Sequence, residues 1–364
     1  MVVLAMHMGN ELLSIPMAVV TLVLAALLIA AAALAARKTL HPERLPLMGV
    51  MGAFVFAGQM INFTLPGMPG TSGHLGGGVL LAIILGPSAA IVTITAILVV
   101  QCLLFQDGGL LALGTNILNM GVVPCLLGWS LYRLLLGRAE RAKSWRQYLA
   151  TWMACVVGVT GGAALVPIEA SLSGVLQVPM VKFLAVMVAV HLVIGFFEGL
   201  ITFVVVAYLR QIRPAVLGLP SADAGGGKLS RGAVTASLLV TAVLLAGVIT
   251  WFSSGSPDGL EWSYREHRYA SGAKALGEPS HAVSAVNAWQ AKWSLLPDYT
   301  KRSAPLGQTP AEANGAEGAP AEGGTSVAKA WTSLAGTLGT VVTLAILYLA
   351  AVLLRRRGRI VPEH

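Results

Sequence analysis

Apolar residues in this chain come in long runs, and polar residues collect between them. Nine apolar segments stand out, at about residues 11–36, 46–65, 74–86, 88–106, 114–136, 149–171, 182–210, 231–252 and 330–354. Most approach the roughly 20 residues that a helix needs to cross a bilayer. The third is short and carries Gly76, Gly77 and Gly78, so it is expected to tilt, re-enter or shelter behind its neighbours. The pattern predicts an all-α, polytopic transmembrane helical bundle. Seven spans fall in residues 1–213, a linker rich in Gly, Ala and Pro covers 214–230, and two further spans fall in 231–364 around a polar segment, 253–329. Within that segment, residues 303–325 lack bulky apolar side chains and are expected to be disordered. No stretch reads as a soluble domain with its own core.

Composition agrees with a membrane protein. Of the 364 residues, 56% are hydrophobic and only 11% charged, against about 25% charged in a soluble domain. The 41 glycines suit close helix approach in lipid. The net charge of +8 is explained by cytoplasmic anchoring rather than by nucleic acid. The basic residues fall in four clusters: Arg37, Lys38, Arg44; Arg133, Arg138, Arg141, Lys143, Arg146; Arg210, Arg213, Lys228, Arg231; and Arg355, Arg356, Arg357, Arg359. Nine crossings place all four on the cytoplasmic side, with the N-terminus and the 253–329 segment outside; eight crossings do not. Cys102, Cys125 and Cys155 lie in apolar runs without ligand spacing and read as buried small residues. The first residues, MVVLAMHMGNELL, have no basic stretch before the apolar run and do not resemble a cleaved signal peptide. No phosphate-binding Gly-x-x-x-x-Gly-Lys-Ser/Thr loop occurs, so the chain has no nucleotide site to power transport.

Seven histidines narrow the chemistry. His41 and His364 fall on the cytoplasmic side, and His267 and His281 in the outer segment. His7 and His74 come out on one face of the membrane, at the outer ends of the first and third spans, and imidazole is the commonest protein ligand for transition metals. A chain that began at Met6 would offer a free amine, the His7 amide nitrogen and the His7 ring to one ion through fused chelate rings. His74 would complete a square of four nitrogens, which suits Ni(II) and Cu(II) by geometry and Co(II) less clearly. The alternative for His7 is an ordinary interfacial residue. His191 and Glu198, seven residues apart, share one face of the seventh span. They either line an ion path or fix helix packing. Glu169 reads as a solvated helix end. Asp107, Asn116 and Asn119 surround a Gly-rich turn and either line the ion path or satisfy loop backbone groups.

Several blocks, in order, resemble the CbiM/NikM family, the metal-binding subunits of energy-coupling-factor cobalt and nickel transporters. They are Met6-His7, SGHLGGGVLLAIILGPSAA (72–90), VQCLLFQDGGLLALGTNILNMGVVP (100–124) and VHLVIGFFEGL (190–200). Many members begin Met-His-Ile-Pro-Asp-Gly; here Met8-Gly9-Asn10-Glu11 follow His7. The resemblance implies that the Met6 amine, the His7 amide and imidazole and His74 hold the ion, with Ser72, Asp107, Asn116, Asn119, His191 and Glu198 around them. The C-terminal part resembles the small CbiN/NikN partner, fused, through SSGSPDGLEWS (253–263); Pro257, Asp258, Gly259, Leu260 and Glu261 would form a metal-loading loop. Also implied are a transmembrane coupling subunit (CbiQ/NikQ-like) and cytoplasmic ATPases (CbiO/NikO-like) in a prokaryotic cytoplasmic membrane. The transported ion would be Ni(II) or Co(II), the latter for cobalamin synthesis, with no organic cofactor and no nucleic acid.

The competing expectation is an intramembrane metal-dependent enzyme working through His191 and Glu198. The absence of His-Glu-x-x-His and Gly-x-Ser-x-Gly counts against it. The small residues of the first span, Ala26, Ala30, Ala31, Ala32, Ala35 and Ala36, serve either a coupling subunit or contacts within the bundle.

Overall fold

The structure is a computed structural model that describes residues 7–39, 45–137, 144–212, 217, 230–264, 277–300 and 326–354. Met6, most of the linker, residues 303–325 and the C-terminal arginines lie outside the described residues. Each of the nine apolar segments contains a helix. These are α1 (Ile15–Thr39), α2 (Leu45–Gln59), α3 (Gly78–Leu85), α4 (Pro87–Phe105), α5 (Leu113–Leu136), α6 (Ser144–Leu172), α7 (Met180–Ile212), α8 (Arg231–Gly247) and, after two further helices of the C-terminal part, α11 (Ser326–Leu354). Six of them are long and apolar enough to cross a membrane; α2, α3 and α8 are shorter. The two-residue strands β1 (Phe63–Thr64) and β2 (Ser72–Gly73) pair antiparallel.

Burial explains the helix placement. On α1 only a stripe, Ala18, Thr21, Ala25, Ala32 and Ala36, faces protein, while Val20, Leu27 and Leu34 are exposed. An apolar helix with an apolar outer face fits lipid rather than water. Thus part of the small-residue pattern, Ala32 and Ala36, serves contacts with the bundle, whereas Ala26 and Ala30 face outward. Helix α2 is the opposite case, buried from Leu47 through Gln59. Gly49 lies against Leu344 of α11, and a methyl group at Gly52 would overlap Leu347. The C-terminal helices α8 and α11 therefore pack on the centre of the N-terminal bundle and share one core with it.

The third apolar segment is helical only over the eight residues of α3, about 12 Å of rise. Seven of those residues are buried, so this short helix is sheltered by protein, as a non-spanning length in lipid must be. Helix α5 widens to π geometry over Ile117–Val122 and Pro124–Gly128. Pro124 has no N–H to continue the ladder. The displaced carbonyls find room against glycines: a Cβ on Gly162 would strike the Asn119 carbonyl, and one on Gly78 would lie 2.9 Å from the Met120 oxygen. Such wide turns often mark functional sites.

The C-terminal part departs from the expected featureless polar loop. It folds α9 (Gly259–Tyr264), α10 (His281–Trp293) and a tight turn at Pro297–Tyr299. Ser280 caps α10 by accepting from Val283 N–H.

Candidate metal centre

A cavity of about 90 Å³ opens where α3, α5, α6, α7 and the start of α9 meet. It has space for an ion and a few waters. His7, His74, Asn116, Asn119, His191, Glu198 and Asp258 all reach its wall. The site therefore gathers residues from both ends of the chain.

His7 is 2% exposed. Its Nδ1 lies 2.7 Å from Asp107 Oδ1, and its Nε2 is buried with no hydrogen-bond partner among the described residues. A buried ring nitrogen with no partner is costly unless something else fills it. The His7 and His74 ring centroids are 5.6 Å apart and tilted by 57°. Two imidazoles sharing an ion sit at about this spacing, since each centroid lies roughly 3 Å from the metal. His74 Nδ1 is 3.2 Å from its neighbour's carbonyl, Leu75 O, and His74 Nε2 is 4.0 Å from Asp258 Oδ2. Among the described residues, no group of three or more His, Cys, Asp or Glu side chains is placed to cage a metal.

Two of the remaining sequence candidates, Asn116 and Glu198, fix the backbone next to these histidines. Asn116 pairs with the Met8 backbone on both sides, accepting from Met8 N at 3.0 Å and donating to Met8 O at 3.0 Å. It substitutes for a β-strand partner and fixes the residue after His7. The carboxylate of Glu198 accepts from Gly76 N at 2.7 Å and Gly77 N at 3.0 Å, which sets the backbone just beyond His74. Gly77 has φ 77°, and a side chain there would run into Val55, so only glycine fits this turn. Ser72 ties the two parts together, its N–H donating to Pro257 O and its hydroxyl to Ser256 O, both at 2.8 Å. Asp258 caps α9 by accepting from Glu261 N at 2.7 Å. Gly259 and Leu260 close the cavity beside His191.

Two expectations change. Glu169 is not a solvated helix end: it is 9% exposed and accepts from Asn119 Nδ2 at 2.6 Å. The His191–Glu198 pair is not arranged as an acid–base couple. His191 Nδ1 lies 2.8 Å from Met187 O of its own helix, while Glu198 is occupied by the glycine amides.

Residues that the sequence did not single out complete the site. Tyr299 donates its hydroxyl to Asp107 Oδ2 at 2.5 Å and stacks on Phe105, with centroids 4.8 Å apart. Gln290 donates to Gly108 O at 2.8 Å and accepts from Leu110 N at 3.0 Å and Asn10 Nδ2 at 3.1 Å. The only signals were the Pro297-Asp298 pair next to Tyr299 and the helical spacing around Gln290.

Acidic groups are concentrated here. Burial raises the Asp107 carboxyl, but attraction to His7 and hydrogen bonds from His7 and Tyr299 outweigh it, and the net effect keeps Asp107 ionised below its usual range. Burial, with Asp107 and Glu261 nearby, pushes Asp298 up to about 7, and burial pushes Asp258 well above the carboxylate range. Asp107 therefore carries the negative charge, whereas Asp258 and Asp298 hold their protons more tightly and would release them more readily beside a cation. Tyr299→Phe keeps the ring stack and removes the bond to Asp107. We expect nickel affinity to fall about tenfold, the lower end of the cost of losing an outer-shell partner, with little change in folding; isothermal titration on the purified variant checks it.

The family description "Cobalt uptake substrate-specific transmembrane region" (CbiM) matches residues 7–216, and the PDGLE domain matches 232–356. The chain belongs to the CbiM family. A protein of Haloquadratum walsbyi, provisionally described as a metal transport protein, is 38% identical over 49% of this chain and 78% of its own length. The fused nickel transport protein NikMN of Rhodobacter capsulatus is 31% identical over 74% of this chain and 82% of its own. The cobalt transport protein CbiM of Geobacter sulfurreducens is 31% identical over 56% of this chain and 59% of its own. With these CbiM relatives and its six bilayer-length helices, the chain is a multi-pass membrane protein of a transport family, not an enzyme. The fused nickel relative also carries both parts on one chain.

Proposed function

We propose that this protein is the substrate-binding membrane component of an energy-coupling-factor transporter that imports Ni(II) or Co(II). The observation that carries the reading is the pair of imidazoles, His7 and His74, that line one cavity with ring centroids 5.6 Å apart. Two imidazoles alone make a weak site for these ions. The reading adds the Met6 amine and the His7 amide as the other two nitrogens, which gives a square of four.

This chelate places a condition on His7. The ring that passes through the His7 amide nitrogen closes only through Nδ1, because Nε2 is too far along the imidazole. In the present structure Asp107 holds Nδ1 and leaves Nε2 open. Metal capture therefore turns the His7 ring about its side-chain bonds, brings Nδ1 to the ion and presents Nε2–H to Asp107. Asp107 is then the outer-shell acceptor that fixes the tautomer, a usual arrangement for metal-bound histidine.

The same reading takes residues 1–213 as the capturing part, 214–230 as the linker and 231–364 as the fused loading part. The basic clusters favour nine crossings with the metal site outside. The third crossing would combine α3 with the non-helical residues before it. Transport energy would come from a separate coupling subunit and ATPases. The test is reconstitution in liposomes. The chain alone should bind nickel or cobalt and not accumulate it with ATP, and adding the coupling subunit and ATPases should start accumulation. ATP-driven accumulation by the chain alone would refute the reading.

A further inference from the structure

Helix α10 has two faces with different surroundings. Val283 and Gln290 are 3% exposed and turn toward the bundle, whereas Trp289 is 50% exposed and Trp293 66%. The two indoles lie side by side on successive turns, with centroids 6.4 Å apart. Lys292 Nζ sits 5.9 Å from the Trp293 ring centroid. Leu295, just past the helix, is 58% exposed. In a water-soluble protein this would be an unexplained apolar patch.

The position of α10 shows what covers it. The amides of Leu295 and Leu296 donate to Leu104 O at 2.9 and 3.0 Å. Leu104 is in the last turn of α4, one of the six bilayer-length helices. At its inner face α10 meets the Asn10–Leu12 turn, through Asn10 Nδ2 to Asn287 Oδ1 at 2.5 Å. Three residues after that turn α1 begins, and its first outward residues are Ile15, Val19 and Val20. The helix thus lies at the ends of two spans, at the height where the apolar faces of α1 and α4 stop. Exposed tryptophans at that height, next to a lysine, match the lipid headgroup boundary, where indole rings and basic side chains concentrate.

We propose that α10 is an interfacial helix that seats Trp289, Trp293 and Leu295 in the lipid headgroup boundary. The opposite face of the same helix carries Gln290, which clamps the Gly108–Leu110 turn next to Asp107. The lipid seat and the clamp on the metal site are therefore two sides of one short helix.

The full chain in phosphatidylcholine–phosphatidylglycerol nanodiscs, one copy per disc, tests this. Trp293→Cys is labelled with an environment-sensitive fluorophore; the three native cysteines are buried. The expected result is blue-shifted emission that nitroxide lipids labelled near the headgroup quench severalfold more than aqueous iodide does. Iodide quenching without lipid quenching would overturn the proposal. Blue-shifted emission that lipid nitroxides leave unchanged would overturn it too, since it would place a protein surface there. A second measurement leaves the helix unlabelled. In nanodiscs with brominated lipid, Trp289→Phe/Trp293→Phe should lose part of the lipid-quenched tryptophan emission, and an unchanged lipid-quenched fraction would count against the seat.

Discussion

His7→Ala should reduce nickel affinity by more than about a hundredfold, equivalent to about 2.8 kcal/mol or more. The variant removes the imidazole and also the side chain that closes the chelate through the His7 amide. Adding one residue in front of a mature Met6 should be as damaging, because it turns the free amine into an amide. His74→Ala should cost less, since three nitrogens from one short segment remain. Metal titrations of the three variants, with the N-terminus of each fixed by mass spectrometry, measure the order. A chain with residues in front of Met6 that binds as tightly as one beginning there would remove the amine from the site.

The second large effect is expected at Glu198, whose carboxylate holds backbone amides. Glu198→Ala leaves the Gly76 and Gly77 amides without their acceptor. Unsatisfied donors of this kind cost about 1–3 kcal/mol each, so the fold should lose on the order of 3 kcal/mol. Metal binding should weaken as well, because these amides fix the turn that follows His74. Glu198→Gln keeps one oxygen acceptor and should retain part of both properties. Thermal unfolding in detergent together with nickel titration separates the outcomes. If Glu198→Ala binds nickel normally, His74 does not depend on this clamp.

Much of this arrangement was legible in the sequence. The apolar runs located every long helix, because in lipid a helix must satisfy all its backbone groups internally and therefore shows as a continuous run. His7 and His74 were legible because imidazoles at the outer ends of spans are scarce and chemically specific. The roles of the surrounding polar residues were not. Asn116 reads alike whether it lines a path or holds Met8, and only the fold shows which backbone it meets. Glu198 and His191 share a helix face yet make unrelated bonds: Glu198 meets the distant Gly76 and Gly77 amides, while His191 stays on Met187 O of its own helix. Glu169 looked like a helix end in water because its partner, Asn119, lies 50 residues away on a widened turn of α5. The contribution of the C-terminal part was hidden most completely. Tyr299 and Gln290 lie in a segment whose composition reads as a polar loop, and their targets, Asp107 and Gly108, are 192 and 182 residues away in the chain. The PDGLE-type stretch pointed to the approach of Asp258 to the cavity, but no local pattern encodes the tertiary contacts of Tyr299 and Gln290.

The central claim is a square of four nitrogens made by Met6, His7 and His74, and the magnetism of bound nickel tests it most directly. A chain that begins at Met6, loaded with one equivalent of Ni(II), should give a diamagnetic, square-planar centre with no sulfur ligand and with imidazole nitrogen contributed by both histidines. Paramagnetic, six-coordinate nickel in that same chain would contradict the account. It would mean that the ion is held by imidazoles, carboxylates and water in the cavity, with His7 still bound to Asp107 through Nδ1.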